Sequence, residues 1–382
     1  YLGNSKWVTV QSQSDTMLTE EVVHTPTRNY VLVCLVNTGH GTPFMSALET
    51  RELDKDLYET NATSLGLYTR LNVGSKDNTL YRYPNDVFDR KWYLPSNGNW
   101  TNITTIETVL SPGKESYQLP SIVLSTAIAP TDESKRIEIS NSEIYYDLSY
   151  SIYLHFAELV KLQKNQTRVF DIRINDLHVK NYFSPQYLNT TTVFTKLPVS
   201  HPFKISISES ENSTLPPLLN AYEIYHLIKE TPFTQQKDVD ALLAIKSSYK
   251  ILKNWEGDPC GPRGHPWQGV NCSLFNVTQP VVLSLNLSSS KLVGNVDLAI
   301  NNLKNLEELD LSGNSLTGSI PEFLSHLPSL RLLNLYGNNL AGTIPESLAA
   351  RSKSGSLTLN VTGNPLLCVD NVCGGKKKKS KT

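Results

Sequence analysis

At 382 residues the chain has room for two or three domains. Its apolar fraction of 39% and charged fraction of 19% are those of an ordinary globular protein. A formal net charge of −1 gives no general attraction to nucleic acid or to an anionic membrane, and no run of about 18 apolar residues is present to cross a bilayer.

The chain opens at Tyr1 without an initiator Met or a leader pattern, in sequence that is already strand-like. Tyr30 to Val36 (Tyr-Val-Leu-Val-Cys-Leu-Val) is apolar and β-branched and stops at Asn37-Thr-Gly-His-Gly, which predicts a buried strand followed by a turn. Cys34 within it reads as a small core residue. Thr42–Leu53 predicts a further strand, with a Pro-containing lead-in and an Ala/Glu pattern that returns at Thr214–Tyr225. The earlier copy would close one module and the later copy the next; too few residues precede the first closure for a whole sandwich.

From residue 66 to 228 the chain is a series of short strands. Tyr150, Ile152, Leu154 and Phe156 alternate with more polar positions, as do Phe170, Ile172 and Ile174. Turns such as Ser111-Pro-Gly and Asn175-Asp punctuate the runs, a pattern that predicts an antiparallel jelly-roll β-sandwich. Asp238–Asn254 then carries Val239, Leu242, Leu243, Ile245, Tyr249 and Leu252 at helical spacing, with Asp238 and Asp240 near the favourable N-terminal end.

Trp255–Ser273 is dense in Gly and Pro and holds Trp255, Trp267, Cys260 and Cys272. Backbone pairing cannot order such a stretch. A Cys260–Cys272 bridge would supply about 3 kcal/mol by loop entropy; two unpaired thiols are the alternative. After it, Leu306-Glu-Glu-Leu-Asp-Leu-Ser-Gly-Asn-Ser-Leu-Thr-Gly-Ser-Ile-Pro matches the segment from Leu330, 24 positions on. The frame extends back through Val282, Leu285, Leu287, Ser290, Leu292 and Gly294, and forward to Leu359, Val361 and Asn364. Leucine, asparagine and glycine recur together, which is the leucine-rich repeat. Stacked leucines would form its core, and Asn314 and Asn338 a hydrogen-bonded ladder.

The second close cysteine pair, Cys368 and Cys373, lies past the last repeat, before a tail with Lys376 to Lys379 and Lys381. Paired cysteines on both sides of a repeat array fit disulfide-closed caps in an oxidising compartment; a zinc site has no Cys-X-X-Cys or nearby His pair behind it. Asn-X-Ser/Thr sequons at Asn61, Asn99, Asn102, Asn165, Asn189, Asn212, Asn271, Asn276, Asn286 and Asn360 agree with a secreted or luminal chain.

Together these segments resemble the ectodomain of plant malectin-like leucine-rich-repeat receptor kinases, the group that includes the symbiosis receptor kinase. The resemblance covers nearly the whole chain. Its most specific pieces are Cys34–Phe44, Arg82–Trp92, Tyr153–Leu159 and the domain-junction motif Gly257, Asp258, Pro259 and Cys260. It implies a mostly β chain in five parts: residues 1–53 as the remnant of a first malectin-like module, 66–228 as a second sandwich, 238–280 as an N-terminal cap, 281–367 as the repeats and 368–382 as a C-terminal cap with a basic tail. It also implies a chain truncated at both ends, with residues 1–53 poorly stabilised, and a place on the outer side of the plasma membrane, or secretion if the chain is complete. A membrane would be reached only through a helix missing from it.

Function divides three ways. Catalysis has little support: Asp86 and Asp89 imitate a glycosidase pair, yet among Arg82, Arg90 and Lys91 they read as ion pairs, and no kinase loop, other catalytic motif or cofactor site is present. Glycan binding would rest on the aromatic cluster Tyr81, Tyr83, Trp92, Tyr93 and Trp100, unless those rings fill the core. The favoured reading is a recognition surface for a peptide ligand or protein co-receptor, on the residues that point out between the repeat leucines: Glu308, Asp310 and Ser312 beside Leu332, Asn334 and Tyr336. Sequons Asn286 and Asn360 fall at the equivalent position in the first and last repeats and, glycosylated, would fence this surface to the two between.

Overall fold

The computed structural model describes residues 1–11, 17–54, 57–58, 64–75, 79–95, 100–112, 117–131, 136–141, 148–175, 177–273, 279–369 and 372–373. Asn61, Asn99, Asn276 and the lysine tail lie outside them. The chain forms two compact units: Val8–Asn29 with Met45–Lys229, and Tyr1–Trp7 with Tyr30–Phe44 and everything from Glu230 onward. Residues 1–53 therefore contribute to both.

The first unit is an antiparallel sandwich. One sheet runs β1 (Val22–His24), β2 (Ser64–Asn72), β12 (Ala221–Ile228), β6 (Ser149–Phe156) and β10 (Val199–Ser200), with β9 (Thr191–Phe194) also on β6. The other runs β5 (Arg136–Asn141), β11 (Phe203–Glu209), β7 (Phe170–Ile174) and β8 (Leu177–Phe183). A separate hairpin joins β3 (Trp100–Thr104) to β4 (Thr126–Pro130), entered from the short helix α1 (Ser121–Leu124). Phe170, Ile172, Ile205 and Ile207 meet Ile152, Leu154, Phe156 and Ile224 in one core.

On β7 the alternation of buried and exposed residues is the one the sequence predicts, and β11 beside it alternates in the same way. On β6 it is not: Ser151, Tyr153 and His155 are buried as well as the apolar set. Tyr153 joins Tyr58, Tyr225, Leu65 and Leu57 in a second cluster on the opposite side of the sheet, so this strand is covered on both faces.

Two expected strands are absent. Tyr30–Val36 is an irregular segment with one isolated bridge, Leu2 to Val33, and Tyr30, Val31 and Leu35 exposed. Thr42–Leu53 pairs with no described strand, and all of it except Leu53 is exposed. Its counterpart, Ala221–Ile228, lies between β2 and β6. Sequence pattern alone does not make a strand; two neighbours supply the hydrogen bonds for one copy and not for the other.

In the second unit, the Tyr1 ammonium donates to the Cys34 carbonyl and Asn4 Nδ2 to the Pro232 carbonyl. Helix α2 spans Gln236–Tyr249 and ends at Lys250 in the left-handed conformation (φ 50°), short of the expected Asn254. Ala241, Leu242 and Ile245 are buried while Leu243 and Leu252 are exposed, so the inward stripe is narrower than the sequence implies. Asp238 accepts a hydrogen bond from the Val282 N–H and so ties the helix to the first repeat strand.

In the junction, Cys260 and Cys272 form a disulfide. Trp255 and Trp267 stack at 5.1 Å, each indole N–H on a backbone carbonyl. Asp258 of the junction motif accepts from the N–H and hydroxyl of Thr234 and from the Cys260 N–H. The motif thus fastens the loop to the residues before α2.

The repeats follow as a sheet ordered β13 (Val270–Cys272), β14 (Val282–Asn286), β16 (Glu308–Asp310), β18 (Leu332–Asn334) and β20 (Thr358–Asn360), parallel from β14 on. Short pairs lie outside it: β15 (Val293–Gly294) with β17 (Ser315–Leu316), and β19 (Ala341–Thr343) with β21 (Leu366–Val369), which returns through β22 (Val372–Cys373). A helix, α3 (Glu346–Lys353), packs behind the last repeats. Cys368 is disulfide-bonded, and the hairpin sets Cys373 opposite it. One core runs from Ala241 to Leu367.

Asn314, Asn338 and Asn364 are buried at the same place in successive turns. Asn338 Nδ2 donates to the Leu311 and Leu335 carbonyls, and its Oδ1 accepts from the Leu316 N–H. Asn314 and Asn364 repeat the arrangement one turn before and one turn after. Each amide occupies backbone groups that no strand partner reaches. Asn338→Ala strands these groups in a dry interior and is expected to lower unfolding free energy by about 3 kcal/mol in a denaturant titration. The exposed neighbour Asn339, changed to Ala, should leave the midpoint unmoved.

Candidate functional site

The repeat register aligns outward-facing residues into columns. Ser284, Glu308, Leu332 and Thr358 are direct partners across the sheet, and Asn286, Asp310, Asn334 and Asn360 form the next column. The backbone bonds Ser289 N–H to Ser312, Gly313 N–H to Tyr336 and Gly337 N–H to Thr362 extend the register to Ser288, Ser312, Tyr336 and Thr362. Leu285, Leu309, Leu333 and Leu335 point the other way, into the core. The six residues expected on the recognition face therefore form one patch on the two middle strands. Glu308 and Tyr336 are exposed, and Asp310, Ser312, Leu332 and Asn334 half-buried.

Local bonds fix this patch. Asp310 Oδ1 accepts from the Ser312 N–H at 2.9 Å, and Oδ2 accepts from Asn334 Nδ2 at 3.1 Å. Asn334 Oδ1 in turn accepts from the Tyr336 N–H. The Asp310 carboxylate is thereby held in place, with the Glu308 carboxylate and the Tyr336 ring exposed beside it and Leu332 half-buried between. Such an array offers an acidic edge beside an apolar one.

The aromatic candidates for sugar stacking are not brought together. Trp92 is 0% exposed, its indole N–H on Asp86 Oδ2 at 2.7 Å, and Tyr81 is buried. Neither presents a ring face to solvent, so both belong to the core and not to a glycan platform. Trp100 is half-buried. Tyr83 and Tyr93 remain exposed, and Tyr83 borders a cleft of about 410 Å³ lined also by Arg51, Arg82, Val87 and Asp89.

Asp86 and Asp89 are each engaged in an ion pair with an arginine. Asp86 is buried on Arg90 and Trp92. Asp89 is held down to about 2 by the Arg82 guanidinium that it pairs with.

The sequence gives no direct pointer to the buried cluster on the outer side of the β2–β12–β6 sheet. Glu223 accepts from Arg70 Nε (2.7 Å), the Tyr225 hydroxyl (2.6 Å) and the Tyr58 hydroxyl (3.0 Å), with His155 Nε2 at 3.2 Å. Arg70 also donates to Glu21 and Tyr225, and Arg90 to Asp86, Tyr58 and the Tyr117 carbonyl. Burial alone would raise the Glu223 pKa, but Arg70, then His155 and Arg90, outweigh it and hold the carboxyl well below its usual range. Burial lowers the His155 pKa against the pull of Glu223, so the ring is neutral. The usable signal was a lone carboxylate inside the apolar run Ala221-Tyr-Glu-Ile-Tyr225, which demands a buried cation elsewhere.

Among the described sequons, Asn165, Asn212, Asn271, Asn286 and Asn360 are exposed. Asn102 and Asn189 are half-buried, and their side-chain amides donate to the Gly74 carbonyl and to Gln186.

Comparison with known proteins gives matches along the chain. The malectin-like domain matches residues 1–227, the leucine-rich-repeat N-terminal domain 235–273, and a two-copy leucine-rich-repeat unit 304–349. A putative leucine-rich repeat receptor-like serine/threonine-protein kinase of Arabidopsis thaliana is 45% identical over 392 residues, covering 100% of this chain and 44% of the relative. The Arabidopsis receptor-like kinase IOS1 is 45% identical over 384 residues, covering 99% of this chain and 43% of its own. The chain thus spans less than half the length of these relatives. The ANXUR1 extracellular domain of Arabidopsis aligns at a TM-score of 0.36 and 18% identity, over 43% of this chain and 49% of that one.

The cluster generates two expectations. Glu223→Ala leaves Arg70 without its buried partner and should cost about 4 kcal/mol of sandwich stability in a denaturant titration. Acidification should weaken the same unit in two steps. Unfolded His155 takes a proton below its ordinary 6.5 that the folded ring refuses. The Glu223 contribution is complete above 4.5 and is lost as pH falls toward its depressed folded value. A thermal melt series from pH 7.5 to 3.5 checks both, and a midpoint that rises on acidification would contradict them.

Proposed function

This chain belongs to the malectin-like domain family, which matches residues 1–227, and from its repeat face we infer that it is the extracellular recognition part of a leucine-rich-repeat receptor kinase. It binds a peptide ligand or protein co-receptor at the outer side of the plasma membrane. The signal passes to a serine/threonine-protein kinase domain of the kind for which its relatives are named. The observation that carries this reading is the patch on β16 and β18, where Asp310 is held by Asn334 and flanked by exposed Glu308 and Tyr336. Aromatic and half-buried aliphatic side chains beside an oriented charge are the makings of a binding hot spot.

A glycan ligand is the second reading, carried by exposed Tyr83 at its cleft beside the Arg82–Asp89 pair. Without Trp92 and Tyr81 it rests on fewer rings than the sequence suggests. Three arms separate the two, run on the glycosylated chain.

On a glycan array the chain should give no saturable signal. In capture from plant membranes it should retain a receptor kinase, at least tenfold less when Glu308→Arg is combined with Tyr336→Ala and equally well with Tyr83→Ala. Saturable glycan binding that Tyr83→Ala abolishes would replace the first reading with the second.

A further inference from the structure

The column Asn286, Asp310, Asn334, Asn360 differs from end to middle in a way that bears on access. Each member starts a tripeptide in the same place: Asn-Leu-Ser, Asp-Leu-Ser, Asn-Leu-Tyr and Asn-Val-Thr. The outer two are sequons. The inner two each miss by one residue, Asp310 in place of Asn and Tyr336 in place of Ser or Thr.

At both outer sites the hydroxyl of the third residue donates to the Asn Oδ1 at 2.8 Å, from Ser288 Oγ to Asn286 and from Thr362 Oγ1 to Asn360. Both Asn side chains are exposed. That bond occupies the carbonyl oxygen and leaves Nδ2, the atom a sugar is attached to, directed away from it. Asn271, a third sequon, pairs with Ser284 on the neighbouring strand and is exposed as well.

We propose that Asn286 and Asn360 carry N-glycans that wall a lane one extended segment wide over Glu308, Asp310, Ser312, Leu332, Asn334 and Tyr336, and that a peptide with a basic and an apolar residue lies in it along the strands. This rests on the recognition reading above. The walls stand three strand spacings apart, about 14 Å, which leaves room between them for one extended chain. Sugar at both ends of the array closes the path across the repeats, so the open path runs along β16 and β18. Across the three outward columns Glu308 and Asp310 carry the only charges, both acidic, and Leu332 and Tyr336 lie on the next strand. A cationic side chain over the first pair and an apolar one over the second complements them.

The test starts with glycopeptide mass spectrometry of the chain secreted from insect cells. Sugar on most molecules at both Asn286 and Asn360 is expected, and either site bare overturns the lane. A displayed library of random linear nonapeptides is then selected on the glycosylated chain, and the best binder is synthesised as the probe. Asp310→Asn turns the lane floor into the sequon Asn-Leu-Ser and should reduce probe binding at least tenfold with an unchanged melting temperature. Peptide N-glycosidase removes that sugar by hydrolysing the amide to a carboxylate, which restores aspartate at 310 and should restore binding to that of the equally treated parent.

Glu308→Arg separates the failures. If it abolishes binding while glycosylated Asp310→Asn does not, the face recognises peptides but the lane is wrong. If neither change matters, the recognition reading fails with it.

Discussion

One inward-turned asparagine per repeat sets the spacing on which the proposed recognition face depends. Asn314, Asn338 and Asn364 each close two carbonyls and at least one N–H of the turns around them. The strands of the array are three to five residues long and would not hold a register by their own bonds. With the ladder in place the register is fixed, and every outward position of one repeat stands beside its equivalents. An acidic strand beside an apolar one is then a consequence of two repeats differing at three positions.

The sandwich depends on a different device. Its main sheet buries Arg70, Glu223, His155 and Arg90 on the side away from the second sheet. A buried charge is tolerable only when its partners are complete, and here each carboxylate oxygen and guanidinium edge meets another member of the cluster. The cluster also explains the fate of Trp92, whose indole N–H completes Asp86 and whose ring is thereby removed from any surface. Loss of the sugar platform and burial of the charges are one fact.

Much of the repeat array was legible because its code is local. Leucine, asparagine and glycine recur 24 residues apart, and each letter of that period has one structural role. The patch Glu308 to Tyr336 could be placed from the sequence for the same reason. The sandwich was legible as a class from the alternation of Phe170, Ile172 and Ile174 on β7 and from the turn residues between its short strands. It was not legible where a strand is covered twice, as at Ser151, Tyr153 and His155, nor where a strand-like segment finds no partner, as at Thr42–Leu53. Arg70 and Glu223 lie 153 residues apart, beyond any periodic signal.

The central claim is that the two middle strands of the repeat sheet are where recognition happens. A photoreactive benzoyl-phenylalanine placed at Tyr336 of this chain, displayed on living plant cells and irradiated there, tests it most directly. The account predicts one discrete adduct, with the cross-linked fragment a short extended peptide segment that carries a basic residue. No adduct from position 336, together with a strong one from the same probe at Tyr83, would contradict it.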